Sequence, residues 1–270
     1  MDSSARRQYL EAIGIDLWVA RGSAAAEASG IESAATATAS AATTAESAAT
    51  ATESAPGASA PARGPGAVPP AATAALWEAL REEVRTCRKC ALHSTRTQGV
   101  LGVGPTRADW LVIGEAPGAE EDRRGEPFVG AAGQLLDAML RAIGLDRKSN
   151  VYIANVLKSR PPGNRDPRPE EVAACLPYLV RQIALLEPRI MLAVGRIAAQ
   201  NLLATDAPLG RLRGRAHYFG ERNTPLVVTY HPAYLLRTPG DKRKAWEDLK
   251  FARSVYQQLT EGSAHHGHRS

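Results

Sequence analysis

Cysteine, long apolar runs and the familiar nucleotide and hydrolase signatures are what this chain of 270 residues lacks. Its three cysteines, an odd number with two at C-x-x-C spacing, do not make the disulfide framework of a small secreted protein. A reducing cytoplasm is the expected setting. No run approaches the roughly 18 apolar residues of a membrane span. The early apolar residues Leu10, Ile13, Ile15, Leu17 and Trp18 are broken up by Glu11 and Asp16. The absence of GxxxxGK(S/T) excludes a P-loop, and neither GxSxG nor HExxH occurs. Glycines at 99, 102 and 104 precede the first predicted strand, so they do not form a dinucleotide fingerprint.

Large side chains are also missing over a long stretch. From Gly22 to Ala74, 46 of 53 residues are Ala, Ser, Thr, Gly or Pro, with only Ile31 and Val68 as larger apolar groups. Such a segment cannot bury enough surface to offset the entropy of ordering it. As a flexible coil it would span about 40 Å. The expected organisation is therefore a short N-terminal helix within 1–21, a disordered linker over 22–74, one folded domain over 75–261 and a disordered tail over 262–270. His265, His266 and His268 fall in that tail and read as part of a loose end rather than as ligands.

Charge divides the same way. Residues 1–74 carry four Arg against seven acidic groups, net −3, whereas the remainder carries 29 basic and 21 acidic groups, net +8. A basic body suits a polyanionic partner, nucleic acid first, and equally suits a well-solvated surface.

Within the body, apolar runs at Trp110–Gly114, Val151–Leu157, Ile190–Gly195 and Leu226–Tyr230 read as strands. Helical patterns fall at Leu76–Thr86, Gln134–Ile143, Glu170–Leu186, Ile197–Leu203 and Lys242–Leu259. The alternation predicts an α/β fold, a three-layer α/β/α sandwich with a central, mainly parallel four-stranded sheet. Ligands of such sheets bind beyond the carboxyl ends of the strands. Those ends carry Glu115 in Gly114-Glu115-Ala116-Pro117-Gly118, Asn155 ahead of Pro161-Pro162-Gly163-Asn164-Arg165, and His231 in His231-Pro232-Ala233-Tyr234. An acid, an amide and an imidazole are thus expected on one rim.

These segments, with Glu120-Glu121-Asp122, Gly125-Glu126-Pro127-Phe128-Val129-Gly130 and Leu235-Leu236-Arg237, resemble the motifs of the iron–sulfur (family 4) uracil-DNA glycosylases, in order, over about residues 84–258. The resemblance implies a monofunctional hydrolase of DNA repair that flips uracil from DNA and cuts its N-glycosidic bond. An abasic site is left for base-excision repair, and the enzyme acts as a monomer. A glycosylase for another deaminated base, such as hypoxanthine, and an inactive DNA-binding module are the alternatives. Implied roles are stacking on Phe128, reading by Asn155, and stabilisation of the leaving base by His231. The substrate pocket also includes Ala116 and Asn164. Ala116 stands where the best-known glycosylases have an Asp, which leaves Glu115 and Glu121 as the acidic groups of the site. Arg165 and Arg237 are expected on the DNA backbone, with Leu235 or Leu236 entering the space of the flipped base.

Cys87 and Cys90, on one turn, make the usual start of a metal or cluster site. The resemblance implies a 4Fe–4S cluster, with Cys175 as a third ligand and Ser159 where a fourth cysteine is expected. Three arrangements stay open: a cluster on three cysteines, a Cys3His site with His93 that zinc would accept, or packed thiols without metal. Finally, Gly14-Ile15-Asp16-Leu17-Trp18 resembles peptides that dock repair enzymes on the sliding clamp, and a helix folded back on the body is the competing expectation.

Overall fold

The computed structural model describes residues 70–266. The docking peptide Gly14–Trp18, the N-terminal helix and nearly all of the 22–74 linker lie outside the described residues. Strands β1 (Trp110–Gly114), β2 (Val151–Asn155), β3 (Ile190–Val194), β4 (Ala216–Phe219) and β5 (Thr224–Thr229) form one sheet in the order β2-β1-β3-β5-β4. All neighbours run parallel except β4, which pairs antiparallel with β5.

The sheet thus has five strands where four are predicted. The fifth, Ala216-His217-Tyr218-Phe219, is short, partly exposed and without apolar alternation, so its own residues carry little strand signal. It exists because β5 offers it an edge. The other four strands are buried end to end, as parallel strands covered on both faces must be.

Period-two alternation divides the core cleanly. Leu111, Ile113, Tyr152, Ala154, Met191, Ala193, Leu226 and Val228 point to one face. That face is covered by α1 (Pro70–Thr86), α4 (Pro169–Leu186) and α5 (Arg196–Leu203). Trp110, Val112, Val151, Ile153, Ile190, Leu192, Val194 and Val227 point to the other. There α3 (Ala131–Ala142) inserts Leu135, Leu136, Met139 and Leu140, and α8 (Lys242–His266) inserts Ala245, Leu249 and Ala252. Each fully buried aliphatic side chain contributes about 1.5–3 kcal/mol. Short helices α2 (Ala119–Arg124), α6 (Leu209–Leu212) and α7 (Pro232–Arg237) fill the connections.

Two helix ends differ from expectation. Helix α1 begins at Pro70, inside the expected linker, with proline at a position where its missing N–H costs nothing. Helix α8 runs to His266, into the expected tail, because no proline follows Lys242 to stop it. Among the described residues no helix is long and apolar enough to cross a membrane.

Candidate active site

A cavity of about 420 Å³ opens at the carboxyl ends of β1, β2 and β5. It gathers Glu115, Ala116, Glu121, Phe128, Asn155, Asn164, Arg165, His231 and Arg237, every predicted site residue of the rim except Leu235 and Leu236. The register explains the meeting of the first two motifs, since Gly114 lies directly beside Asn155 in the parallel ladder. Gly114 has to lack a side chain: a Cβ there would sit 2.6 Å from Phe128 Cζ and against the Asn155 amide.

Phe128 is buried with φ +55°, a left-handed conformation rare for a bulky residue. Such a backbone costs about 1–3 kcal/mol and persists only where the surroundings enforce it, typically at functional sites. Its ring faces His231, with centroids 5.6 Å apart and planes inclined by 31°.

Asn155 is 2% exposed, yet its Oδ1 has no hydrogen-bond partner. Two indole nitrogens, of Trp77 and Trp110, share that condition among the described residues, but neither lines the cavity. An unpaired buried carbonyl costs roughly 1–3 kcal/mol, and a ligand N–H would restore it. The Asn155 backbone carbonyl is held from behind by Lys158 Nζ at 2.7 Å.

His231 caps α7, and its Nδ1 accepts from the Ala233 N–H at 3.1 Å. Because Nδ1 is an acceptor, the neutral ring carries its proton on Nε2. Burial first, then the positive charge of Arg237, pushes the imidazole pKa down to about 4, against a small opposing pull from Glu121. At neutral pH His231 is therefore an uncharged donor.

The two acids diverge. Glu121 Oε1 accepts from the N–H groups of Val129 (2.9 Å) and Gly130 (3.1 Å), and Oε2 accepts from Gly118 at 3.1 Å. Its carboxylate thus ties together the starts of α2 and α3, where helix dipoles favour an anion. Glu115 has no such partners. Burial, then repulsion from Asp166, pushes its pKa up to about 7, while Arg196 pulls the other way. Arg196 Nη2 also bonds Asp166 Oδ2 at 2.8 Å.

Other positions are less direct than expected. Arg165 lines the cavity, but its guanidinium is engaged in two hydrogen bonds with the buried Glu171 carboxylate. Asn164 Oδ1 accepts from Arg160 Nε at 2.7 Å, shaping the turn. Leu235 is 1% exposed and packed in the core, whereas Leu236 is 45% exposed beside Arg237.

Comparison with known proteins follows this geometry. The model of the uracil DNA glycosylase superfamily matches residues 101–250, a span that contains the whole rim. The chain belongs to the uracil DNA glycosylase superfamily. It is 46% identical over 174 residues to the type-4 uracil-DNA glycosylase of Archaeoglobus fulgidus, covering 62% of this chain and 87% of that protein. Identity to the type-4 enzyme of Pyrobaculum aerophilum is 44% over 176 residues, 63% and 89% of the two chains. For the type-4 enzyme of Thermotoga maritima it is 40% over 183 residues, 66% and 94%.

Behind this glycosylase rim, Cys87 and Cys90 are half-buried and Cys175 is buried, all three packed on the same core cluster. Burial raises the Cys175 thiol pKa; the Lys158 N–H opposes this, and the nearness of Cys90 and Cys87 adds to the rise. Among the described residues no three His, Cys, Asp or Glu side chains are gathered tightly enough to grip one ion. His93 Nδ1 instead meets the Cys90 carbonyl at 2.8 Å. Ligands of a cluster sit on separate irons and so stand further apart than those of one ion. Three thiols packed on one core cluster are a donor set of the kind iron–sulfur clusters take, whereas the His93 ring is engaged by a backbone carbonyl. Ser159, at the position where a fourth cysteine was expected, has its Oγ accepting from Arg96 Nη1 at 2.8 Å. Arg96 Nη2 meanwhile reaches the carbonyls of Val84, Arg85 and Cys87.

Sequence reasoning missed Asp166, Lys158 and Arg196. Asp166 followed Arg165 in a loop already under attention, so adjacency to a motif was its available signal. Lys158 had only its place in the Asn155 motif as a signal, since a lysine after a buried strand reads as a surface residue.

Proposed function

We infer that the protein excises uracil from DNA by hydrolysing the N-glycosidic bond. The observation that carries this is the unpaired, buried Asn155 Oδ1 in a cavity that Phe128 and His231 also line. Uracil offers N3–H as donor to that oxygen; cytosine, with a bare N3 acceptor, would leave it unpaired, and such mismatches can discriminate strongly. The base leaves the stack at a cost of a few kcal/mol. Stacking on Phe128 returns about 1–3 kcal/mol of it. Leu236, exposed where Leu235 is buried, fills the vacated space, with Arg237 on the backbone.

His231 donates from Nε2 to the uracil O2 on which charge develops as the bond breaks. A neutral donor of this kind stabilises the leaving anion without having to give up its own proton. With Ala116 offering no acid, Glu115 takes the water proton, because Glu121 is already held by three backbone donors. Glu121 acts instead by fixing the loops that hold Phe128. Cys87, Cys90 and Cys175 would hold the iron–sulfur cluster, which when bound braces the loop beside Ser159 and supplies no electrons to a hydrolysis. A cytoplasmic setting keeps such unpaired thiols reduced.

The test is uracil release from single-stranded and paired oligonucleotides, scored as alkali-labile sites, with Asn155→Ala and His231→Ala alongside. Release by the intact chain that collapses in both variants supports the reading. An inert, metal-replete protein overturns it.

A further inference from the structure

Phe128 poses a mechanical question, because nothing in its own chemistry keeps a bulky residue at φ +55°. Two residues, Arg147 and Gly133, meet at its peptide. Arg147 Nη2 donates to the Phe128 carbonyl at 2.9 Å, and Nη1 donates to the Pro127 carbonyl at 3.2 Å. The remaining edge, Nε, is fixed by Asp137 Oδ1 at 2.7 Å, from the outer part of α3. On the opposite side, Gly133 lets the Phe128 peptide lie against the first turn of α3, where a Cβ would be 1.8 Å from its carbonyl oxygen.

Arg147 itself sits on a stiff support. It belongs to the short link between α3 and β2, where Lys148 N–H bonds Asp146 Oδ1 at 2.6 Å and Asp146 N–H bonds Asn150 Oδ1 at 2.8 Å. That link runs directly into β2, whose last residue is Asn155. One guanidinium therefore couples the residue under the base to the strand that carries the reading amide.

We propose that Arg147 is a positioning residue for base recognition: by gripping the carbonyls of Pro127 and Phe128 it sets the Phe128 ring at the angle the flipped base requires. Only a planar fork reaches two carbonyls and a carboxylate at once, so lysine cannot take over the whole task. The proposal rests on the uracil-excision reading, since the ring matters only if a base stacks on it.

A double-mutant cycle on the full chain tests it. Arg147→Met and Arg147→Lys are each made with Phe128 present and in a Phe128→Ala background, and kcat/KM for uracil release is measured together with thermal melting. With Phe128 present, Arg147→Met is expected to lower kcat/KM about tenfold, a good part of what one stacked base contributes. Arg147→Lys is expected to fall between. In the Phe128→Ala background the same Arg147 changes should cost less than about twofold, because the ring through which they act is gone. Any loss of melting temperature should be alike in both backgrounds. Equal activity losses in both backgrounds would make Arg147 a general support and overturn the proposal. So would full activity of Arg147→Met. A wild-type chain that releases no uracil overturns the excision reading as well, which separates the two failures.

Discussion

Asn155 divides the molecule into two regions of opposite character. In front of it three polar groups are underused: its own Oδ1 is unpaired, the Glu115 carboxyl is raised to about 7, and His231 keeps one nitrogen free. Behind it most are tied up, the Trp77 indole N–H excepted. Lys158 Nζ binds both the Asn155 carbonyl and Gln182 Oε1, and Gln182 Nε2 reaches the Leu101 carbonyl and the Tyr152 hydroxyl. Arg96 fans across three carbonyls and Ser159. Satisfied networks rigidify, and unsatisfied groups wait for a ligand. The contrast locates binding in front of the strand end and stiffness behind it.

The largest expected effect lies in front. Asn155→Ala should lower kcat/KM for uracil by about a hundredfold to a thousandfold, the scale of a lost recognition pair in a buried site. Unchanged kinetics would move recognition off this residue and dissolve the contrast. Next comes the region behind. Lys158→Met leaves the Asn155 carbonyl and Gln182 Oε1 without their donor, which should cost about 2–3 kcal/mol of stability. For a domain of this size that is a drop of roughly 5–10 °C in melting temperature. A melting curve that does not move would show the network to be idle.

A smaller effect sharpens the front region through pH. The Glu115 carboxyl is raised to about 7, so it is protonated and ineffective as a base below that value and ionised above it. Activity should rise with pH through about 7. Asp166→Asn removes a repelling charge and should shift the midpoint down, whereas Arg196→Gln removes an attracting one and should shift it up. Midpoints that ignore both changes would remove Glu115 from water activation. The smallest effect on turnover belongs to Ser159→Cys, which replaces the Ser159 oxygen with a fourth thiol. Iron and sulfide per chain should rise and chelator resistance should increase, with kcat changed less than about twofold.

Much of the front was legible in the chain because strands and rim residues carry local signals. β1, β2, β3 and β5 are dense apolar runs; Glu115 directly follows β1, Asn155 ends β2 and His231 stands two residues past β5. What was not legible turned on which partner each residue finds rather than on its own spacing. Strand β4 depends on β5, and Arg165 is claimed by Glu171. Leu235 and Leu236 are neighbours of identical type, separated only by which side of α7 meets the core. Lys158 and Arg147 owe their places to groups 24 and 19–20 residues away, a relation that no local spacing encodes.

The pairing of Gly114 with Asn155 makes the sheet a ruler for the pocket. Neighbouring strands keep a spacing of about 4.8 Å whatever the side chains are. The gauge between the acid-bearing loop and the reading amide is therefore set by main-chain ladders rather than by the loops that cover them. Loops around the rim can lengthen or change without altering it. Deleting one residue from β2 would turn Asn155 to the opposite face and close the pocket to any base. New base preferences on this frame have to come from exchanging side chains at fixed posts, because the posts themselves do not move.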